Sequence, residues 1–591
     1  MRRTSAGIRM GRTIWPYRAR TLDFRMEAAP ERTASTRHVV VAALVLLVLG
    51  AIGALQAGRA GASFMYDLEQ EVPPLARHAP AIEDPHTPRL ARRVFLVIVD
   101  GLRLDRSYEL PFLDSLRRTG LDAEASSHYP TWSRPNYVSI LTGVPPSASG
   151  VRTNHHHTPV PLDALMDRAR AAGLRVATAT DYDVLPRLFL RPTGGPPLPE
   201  DHETAAGDHD FLDDPAALAA VRAPAAPLAS PFHDARYAPW PGGFSEAGAA
   251  IVAGNADLVV MLVGAVDLAG HEHGSDAPEY RGAALHADRA LAQALAGIDL
   301  AHDAVVVVAD HGHTASGGHG GVEPEVASVP LILAGAGVDP KGHVSDVRLI
   351  DVAPTVSALL GIPAPGHGLG ITLTGALTLD DIAAGRRHLA DLLRLTATRG
   401  IVDASVASAE LDVLTHRASR LVAVFLGVVL AIVLAVMLVR RRVLRLDIRV
   451  LVVTVPVFFI VYYALIGTIG GFSPSLMPAK GHIAGTLVRY GAAAMLVQLV
   501  ANLWALRTRP TLADRLAAAN GIAWLGLLVA MLPAGITWAF FPPPFVTLPG
   551  PAWLVLIPAL EVAVACAALT FALTLATEVI VFAARAWQRR V

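Results

Sequence analysis

The stretch RRVFLVIVDGLR, Arg92 to Arg103, decides the fold class. It is a continuous apolar run rich in β-branched residues, and it ends on an aspartate followed by a glycine. Such a run reads as a strand covered on both faces. Similar runs recur in LRVATATD (174–181), ADLVVMLVGAVD (256–267), HDAVVVVAD (302–310) and VPLILAGAG (329–337), with helix-like segments between them. Strands alternating with helices predict an α/β domain built on a mostly parallel central sheet, over residues 59–395. Three of the predicted strands end in Asp100, Asp267 and Asp310. Open α/β sheets bind ligands outside the carboxyl ends of their strands, so these carboxylates mark one working edge.

The flanks have a different character. Hydrophobic residues make up 52% of the 591 and charged residues only 17%, too oily for an ordinary soluble enzyme. Residues 1–37 are Arg-rich and aperiodic and are expected to be a disordered cytoplasmic tail. VVVAALVLLVLGAIGALQAG, from Val39, has the length a bilayer-spanning helix needs, which predicts an uncleaved anchor over 38–58. Residues 396–418 are expected to be a linker. Residues 419–591 are expected to be a helical membrane domain with about five spans, roughly 419–439, 450–470, 485–506, 520–541 and 552–583. Within the α/β region, the Pro- and Ala-rich segment 182–250 reads as an insertion.

Arginine placement orients these spans. Arg440, Arg441, Arg442, Arg445 and Arg449 fall in one connection, Arg507, Arg509 and Arg515 in another, and Arg585, Arg589 and Arg590 follow the final span. With six spans, all of these and the N-terminal tail lie on one side. The positive-inside rule makes that side cytoplasmic. Both termini are then cytoplasmic and the α/β domain is extracytoplasmic, an integral membrane protein of the cell or inner membrane.

A net charge of −1 gives no basic field for nucleic acid. The single cysteine, Cys566, rules out an intrachain disulfide and a cysteine-built zinc site. A metal site must therefore use His and carboxylates. Asp100, Asp267 with His271, and Asp310 with His311 and His319 supply six such groups, enough for two divalent ions, zinc or else manganese. Glycines beside them let the backbone turn tightly enough for neighbours to converge. A lone Asp after a strand is usually a helix cap; the joint occurrence of all six carries the reading. The tract His155–His157 and the single residues His273 and His313 are left outside the ligand set.

YPTWSRPNYVSILTG, Tyr129 to Gly143, contains four Ser/Thr hydroxyls: Thr131, Ser133, Ser139 and Thr142. Together with VDG (99–101), DLAGHEHGSDAPEY (267–280), ADHGHTASGGHGG (309–321) and LIDVAPTVSALLGIPAPGHGLG (349–370), it resembles the alkaline phosphatase superfamily. The wording is similar to the type I phosphodiesterase/nucleotide pyrophosphatase branch and to glycosylphosphatidylinositol ethanolamine phosphate transferases. The resemblance covers residues 92 to about 370. It implies an α/β sandwich with two metals, usually zinc, at the carboxyl edge of the sheet.

Carried over by motif, the resemblance assigns Asp100, Asp310 and His311 to one metal, which also contacts the nucleophile Ser133. It assigns Asp267, His271 and His319 to the other. Asn154, in GVRTN, would donate to the transferring group. Thr131 is the second choice of nucleophile; Ser139 and Thr142 read as packing or capping residues on the helix that follows. Where the sulfatases of this superfamily close a C/S-x-P-x-R pattern with arginine, Tyr137 stands here, which argues for phosphate over sulfate. The superfamily's phosphoglycerate mutases are soluble, which disfavours that reading.

The expected activity is that of a membrane-anchored two-metal phosphodiesterase or phosphatase, acting through a phosphoserine on extracytoplasmic phosphate esters. The alternative is a phosphoethanolamine-type transferase moving a lipid head group to a glycan or lipid, with a phospholipid as substrate and Arg489 and Glu561 lining a lipid cavity. A non-catalytic membrane scaffold is the third reading.

Overall fold

The computed structural model describes residues 36–69, 72–192, 228–238, 243–468, 471–476, 483–541 and 547–588. The tail over 1–35 and much of the insertion expected at 182–250 lie outside the described residues.

Among the described residues there are ten strands: β1 (Arg93–Val99), β2 (Leu121–Ser126), β3 (Val176–Thr180), β4 (Arg191–Pro192), β5 (Leu228–Ala229), β6 (Asp234–Tyr237), β7 (Leu258–Val263), β8 (Asp303–Val308), β9 (Ser328–Gly335) and β10 (Val347–Arg348). Eight of them form one sheet in the order β10-β2-β9-β8-β1-β7-β3-β6, while β4 and β5 pair separately. β1 lies between β7 and β8, parallel to both. Only β9 runs antiparallel, to β2 and to β8. The central strands are apolar on both faces because helices cover both sides; Val94 to Val99 and Leu258 to Val263 are all buried.

Asp100 and Asp310 leave β1 and β8 at the carboxyl edge, as the runs indicated. Asp267 does not end a strand. β7 stops at Val263, and Asp267 occupies the first turn of the helix Ala265–His273. The apolar run breaks at Gly264, and His271 follows Asp267 by four residues, so both stand on one face of that helix.

Among the described residues, six helices are long and apolar enough to cross a membrane. The first, Thr36–Asp67, contains the expected anchor. The second is a single helix from Asp381 to Arg440, so residues 396–418, read as a linker, are helical. No proline interrupts them. At 1.5 Å per residue its 60 residues measure about 90 Å, roughly three times the hydrocarbon thickness. Its first part is bolted to the α/β domain: Arg394 donates to the Gly368 and Gly370 carbonyls, Arg387 to that of Ile362, and Asp391 accepts from Thr372 N.

The remaining helices are Ile448–Gly467, Ile483–Leu506, Leu512–Phe540 and Pro551–Gln588. Arg509 pairs with Asp447 and Arg445 with Asp514, which brings two of the basic connections to the same end of the bundle. Arg420 stacks on Trp538 and Arg417 on Phe540 near the other end. Arg489 is exposed and donates to Thr486, while Glu561 is half-buried on the last helix.

Candidate active site

The loop that carries Ser133 is closed by one asparagine. Asn136 Nδ2 donates to the carbonyls of His128, Pro130 and Trp132, and its Oδ1 accepts from His128 N, so it closes the loop over its own helix start. The helix runs Ser133–Thr142. Pro135 sits in its first turn, where a missing N–H costs nothing. Ser133 is thereby held at the helix N-terminus, 4% exposed, with Oγ 3.1 Å from His311 Nε2 and 3.4 Å from Asp100 Oδ1.

The other three hydroxyls are occupied. Ser139 donates to the Pro135 carbonyl at 3.0 Å and Thr142 to that of Val138 at 2.6 Å, inside their own helix. Thr131 donates to the Gly321 carbonyl and accepts from Gly320 N, both at 2.9 Å, which pins the glycine loop that carries His319.

Around Ser133 the structure gathers the six sequence-selected ligands. Asp100, Asp310 and His311 form one group, with His311 Nε2 3.3 Å from Asp100 Oδ1 and 3.4 Å from Asp310 Oδ2. A second group holds Asp267, His319, His311 and His313, with His271 alongside: its Nε2 is 3.3 Å from Asp267 Oδ2 and 3.0 Å from His319 Nε2. His313, passed over in the sequence, is fully buried here, with Nε2 2.7 Å from Asp267 Oδ1. His156 and His157 lie elsewhere, beside Glu69 and Arg134, and His273 beside Glu272.

The donor set fits divalent metal. Atoms each about 2.0–2.2 Å from one tetrahedral zinc lie about 3.3–3.6 Å apart, close to most of these spacings. Two of the three candidate histidines have Nδ1 against a carbonyl, His311 to Gly312 and His319 to Thr131, which leaves Nε2 as the lone pair facing the site. Burial draws His311 down to about 3 and His319 well below the usual histidine range, so both rings stay neutral. Burial, reinforced by the Asp310 and Asp267 charges, pushes the Asp100 carboxyl well up. Burial with the Asp267 charge lifts Asp310 to about 7. Burial acts upward on Asp267 too, but His271 and His313 beside it hold its carboxyl well below normal. Asp310 Oδ2 is buried with no hydrogen-bond donor. Crowded acids and an orphaned oxygen are what a bound cation would relieve.

Tyr137, which the sequence offered only as an absent arginine, donates its O–H to Asp100 Oδ2. Asn154 Oδ1 accepts from Arg134 N at 3.1 Å, next to Ser133.

The type I phosphodiesterase/nucleotide pyrophosphatase family matches residues 94–325, which contain every one of these groups. By sequence this region is similar to a phosphodiesterase-type domain. The chain is 25% identical over 335 residues to human GPI ethanolamine phosphate transferase 1, covering 50% of this chain and 34% of that protein. It is 26% identical over 287 residues to a 2,3-bisphosphoglycerate-independent phosphoglycerate mutase of Cereibacter sphaeroides, covering 47% and 50%. The chain thus spans between a third and a half of the length of these relatives. A solved structure of murine ectonucleotide pyrophosphatase/phosphodiesterase 5 with AMP aligns at 13% identity and TM-score 0.35, over 46% of this chain and 96% of that one. Residues 94–325 thus match a phosphodiesterase-type family, and six helices among the described residues are long and apolar enough to cross a membrane.

The domain's site also touches the membrane helices. Gly321 N donates to Ser475 Oγ at 2.7 Å and Thr314 Oγ1 to the Ser475 carbonyl at 3.2 Å, in the connection after the helix Ile448–Gly467. Tyr129 donates to the Pro549 carbonyl at 2.8 Å. Trp132, next to Ser133, packs with Phe64 and Leu68 at the end of the helix Thr36–Asp67 and with Leu554 and Ile557. Sequence spacing gave no sign of these contacts, because the partners are from 64 to 425 residues apart.

Proposed function

We propose that this protein transfers a phospho-head group from a membrane lipid, through a phosphoserine-type intermediate at Ser133, to an acceptor alcohol on the extracytoplasmic face. The observation that carries this reading is the seating of the nucleophile loop and the His319 loop on the connections between membrane helices. A substrate phosphate at Ser133 would then lie at the level of lipid head groups. The resemblance to GPI ethanolamine phosphate transferase 1 supports a phosphoethanolamine-type head group. The two basic connections lie at the opposite end of the helices from Ser475 and Pro549, which by the positive-inside rule supports a cytoplasmic location for them and an outward site.

In the first step Ser133 Oγ attacks phosphorus, the bond to the glyceryl oxygen breaks, and that oxygen leaves with the serine proton. In the second, the acceptor hydroxyl attacks phosphorus and Ser133 departs with the acceptor's proton; with water as acceptor the outcome is hydrolysis. Asp100, Asp310 and His311 would hold one divalent ion and Asp267, His271 and His319 the other, two zinc ions in our reading. When bound, such ions lower the pKa of a nearby hydroxyl and neutralise phosphoryl oxygens. Asn154 Nδ2 donates to a non-bridging oxygen as its charge grows. Asn154→Ala is expected to lower kcat by about 10²–10³-fold, with a smaller change in KM. Steady-state kinetics on an aryl phosphodiester measures this, and an unchanged kcat removes the role.

The lipid reading is tested in proteoliposomes containing head-group-labelled phosphatidylethanolamine. Diacylglycerol release, with label passing to a glycan or lipid acceptor, is the expected result. Hydrolysis of soluble aryl diesters with no consumption of lipid head group would return the protein to a soluble-ester phosphodiesterase.

A further inference from the structure

We propose that His313 is a positioning residue that aims the Asp267 carboxylate and so sets the metal affinity of the site formed with His271 and His319. The inference rests on reading this cluster as a metal centre. His313 Nε2 stands 2.7 Å from Asp267 Oδ1, whereas His311 stands 3.3 Å from Asp100, 3.4 Å from Asp310, and His271 3.3 Å from Asp267. The longer spacings match the edge of a tetrahedral ligand set; 2.7 Å is the span of a charge-assisted hydrogen bond. His313 therefore grips the carboxylate and does not share its ion. With Oδ1 held, Oδ2 is the oxygen turned toward His271.

The ring has a slot made for it. A Cβ on Gly270 would fall 2.7 Å from His313 Cδ2 and Nε2, and one on Gly101 would fall 2.8 Å from Asp267 Cα and 2.9 Å from both Asp267 Cβ and His313 Nε2. Gly270 leaves no space for a side chain while the ring is where it is, and Gly101 leaves none beside the Asp267–His313 pair. The glycine of DLAGH thus makes room for His313, and that of VDG for the pair, between the strand end that carries Asp100 and the helix that carries Asp267 and His271. On its other edge the ring packs against the Gly317 carbonyl, 3.0 Å from Nδ1, in the turn that leads to His319. The ring so lies against three ligand-bearing segments, with its one N–H given to Asp267. Groups that orient ligands in this way typically govern metal affinity by about 10–100-fold.

The test uses the full-length protein in detergent, with bound zinc counted per chain by elemental analysis across a graded chelator series. His313→Leu is expected to release one of two metal equivalents at about 10–100-fold lower chelator than the parent. His313→Gln, whose amide nitrogen reaches the Nε2 position, is expected to retain it. Gly270→Ala, which expels the ring without touching any ligand, is expected to behave as His313→Leu does. Equal loss in His313→Gln and His313→Leu overturns the proposal in favour of a direct ligand. Parent-like retention in folded His313→Leu overturns it in favour of mere packing. If His313→Leu does not fold, folded but metal-poor His313→Gln overturns the proposal and metal-replete His313→Gln with metal-poor Gly270→Ala sustains it. A parent protein that binds no divalent ion would fail the metal-centre reading itself, a result distinct from all of these.

Discussion

Ser133→Ala is expected to lower phosphodiester turnover by on the order of 10⁴-fold or more while leaving metal content and folding intact. The substitution deletes a single oxygen, the one 3.1 Å from His311 Nε2 and 3.4 Å from Asp100 Oδ1. All six ligand side chains remain. No neighbouring hydroxyl can substitute: Thr131 is fixed on both sides by Gly320 and Gly321, and Ser139 and Thr142 are bonded within their helix. Ser133→Thr keeps the hydroxyl and is expected to retain measurable turnover. The decisive measurement is kcat beside metal stoichiometry on the same preparations. A loss of less than tenfold in a metal-replete Ser133→Ala protein would move the nucleophile elsewhere, with Thr131 the next to examine.

Stripping the metal with a chelator is expected to reduce turnover to the level of Ser133→Ala, with zinc or manganese restoring it. Stability should follow with a definite pH dependence. In the metal-free fold, Asp310 titrates near 7, against 3.8 for an ordinary aspartate, and Asp100 is raised as well. Between those values the folded state keeps protons that the unfolded state has lost, so stability falls as pH rises through about 4 to 7. His311, lowered to about 3, and His319 work in the opposite sense below about 6.5, where the unfolded chain binds protons that the fold refuses. The two effects oppose each other below pH 6.5, and above it only the carboxylates still titrate. Asp267, held low, loses its contribution only below about 3.8. The metal-free protein should therefore melt lower at pH 8.5 than at pH 6.5. The gap in Tm between metal-loaded and metal-free protein should widen over that interval, since bound cations neutralise the same carboxylates. A gap that is constant or narrows with rising pH would contradict the electrostatic account.

Much of the site was legible because its chemistry is concentrated at strand ends. Asp100 and Asp310 follow buried β-branched runs, and the glycine-flanked Asp310-His311 and His319 share one loop. Asp267 was found for an incomplete reason, since it belongs to a helix whose Asp267–His271 spacing of four was the better signal. His313 was passed over because an extra histidine in DHGH has no pattern of its own; its significance lies in a slot between Gly101 and Gly270, which come from segments about 170 residues apart. Tyr137 likewise showed only as a missing arginine until its hydroxyl was placed on Asp100. The helix through 396–418 was within reach of sequence reasoning, being free of proline and rich in helix-forming residues.

What the sequence determined by itself is local: which runs are strands, which are membrane spans, and which side chains suit a divalent metal. Those depend on residue type and period along the chain. Only the tertiary structure decided that the nucleophile loop leans on Pro549 and that the His319 loop leans on Ser475. It also decided that one of four similar hydroxyls is left facing the metal ligands. These outcomes depend on contacts between segments far apart in the chain, where no periodicity links one partner to the other and only packing brings them together.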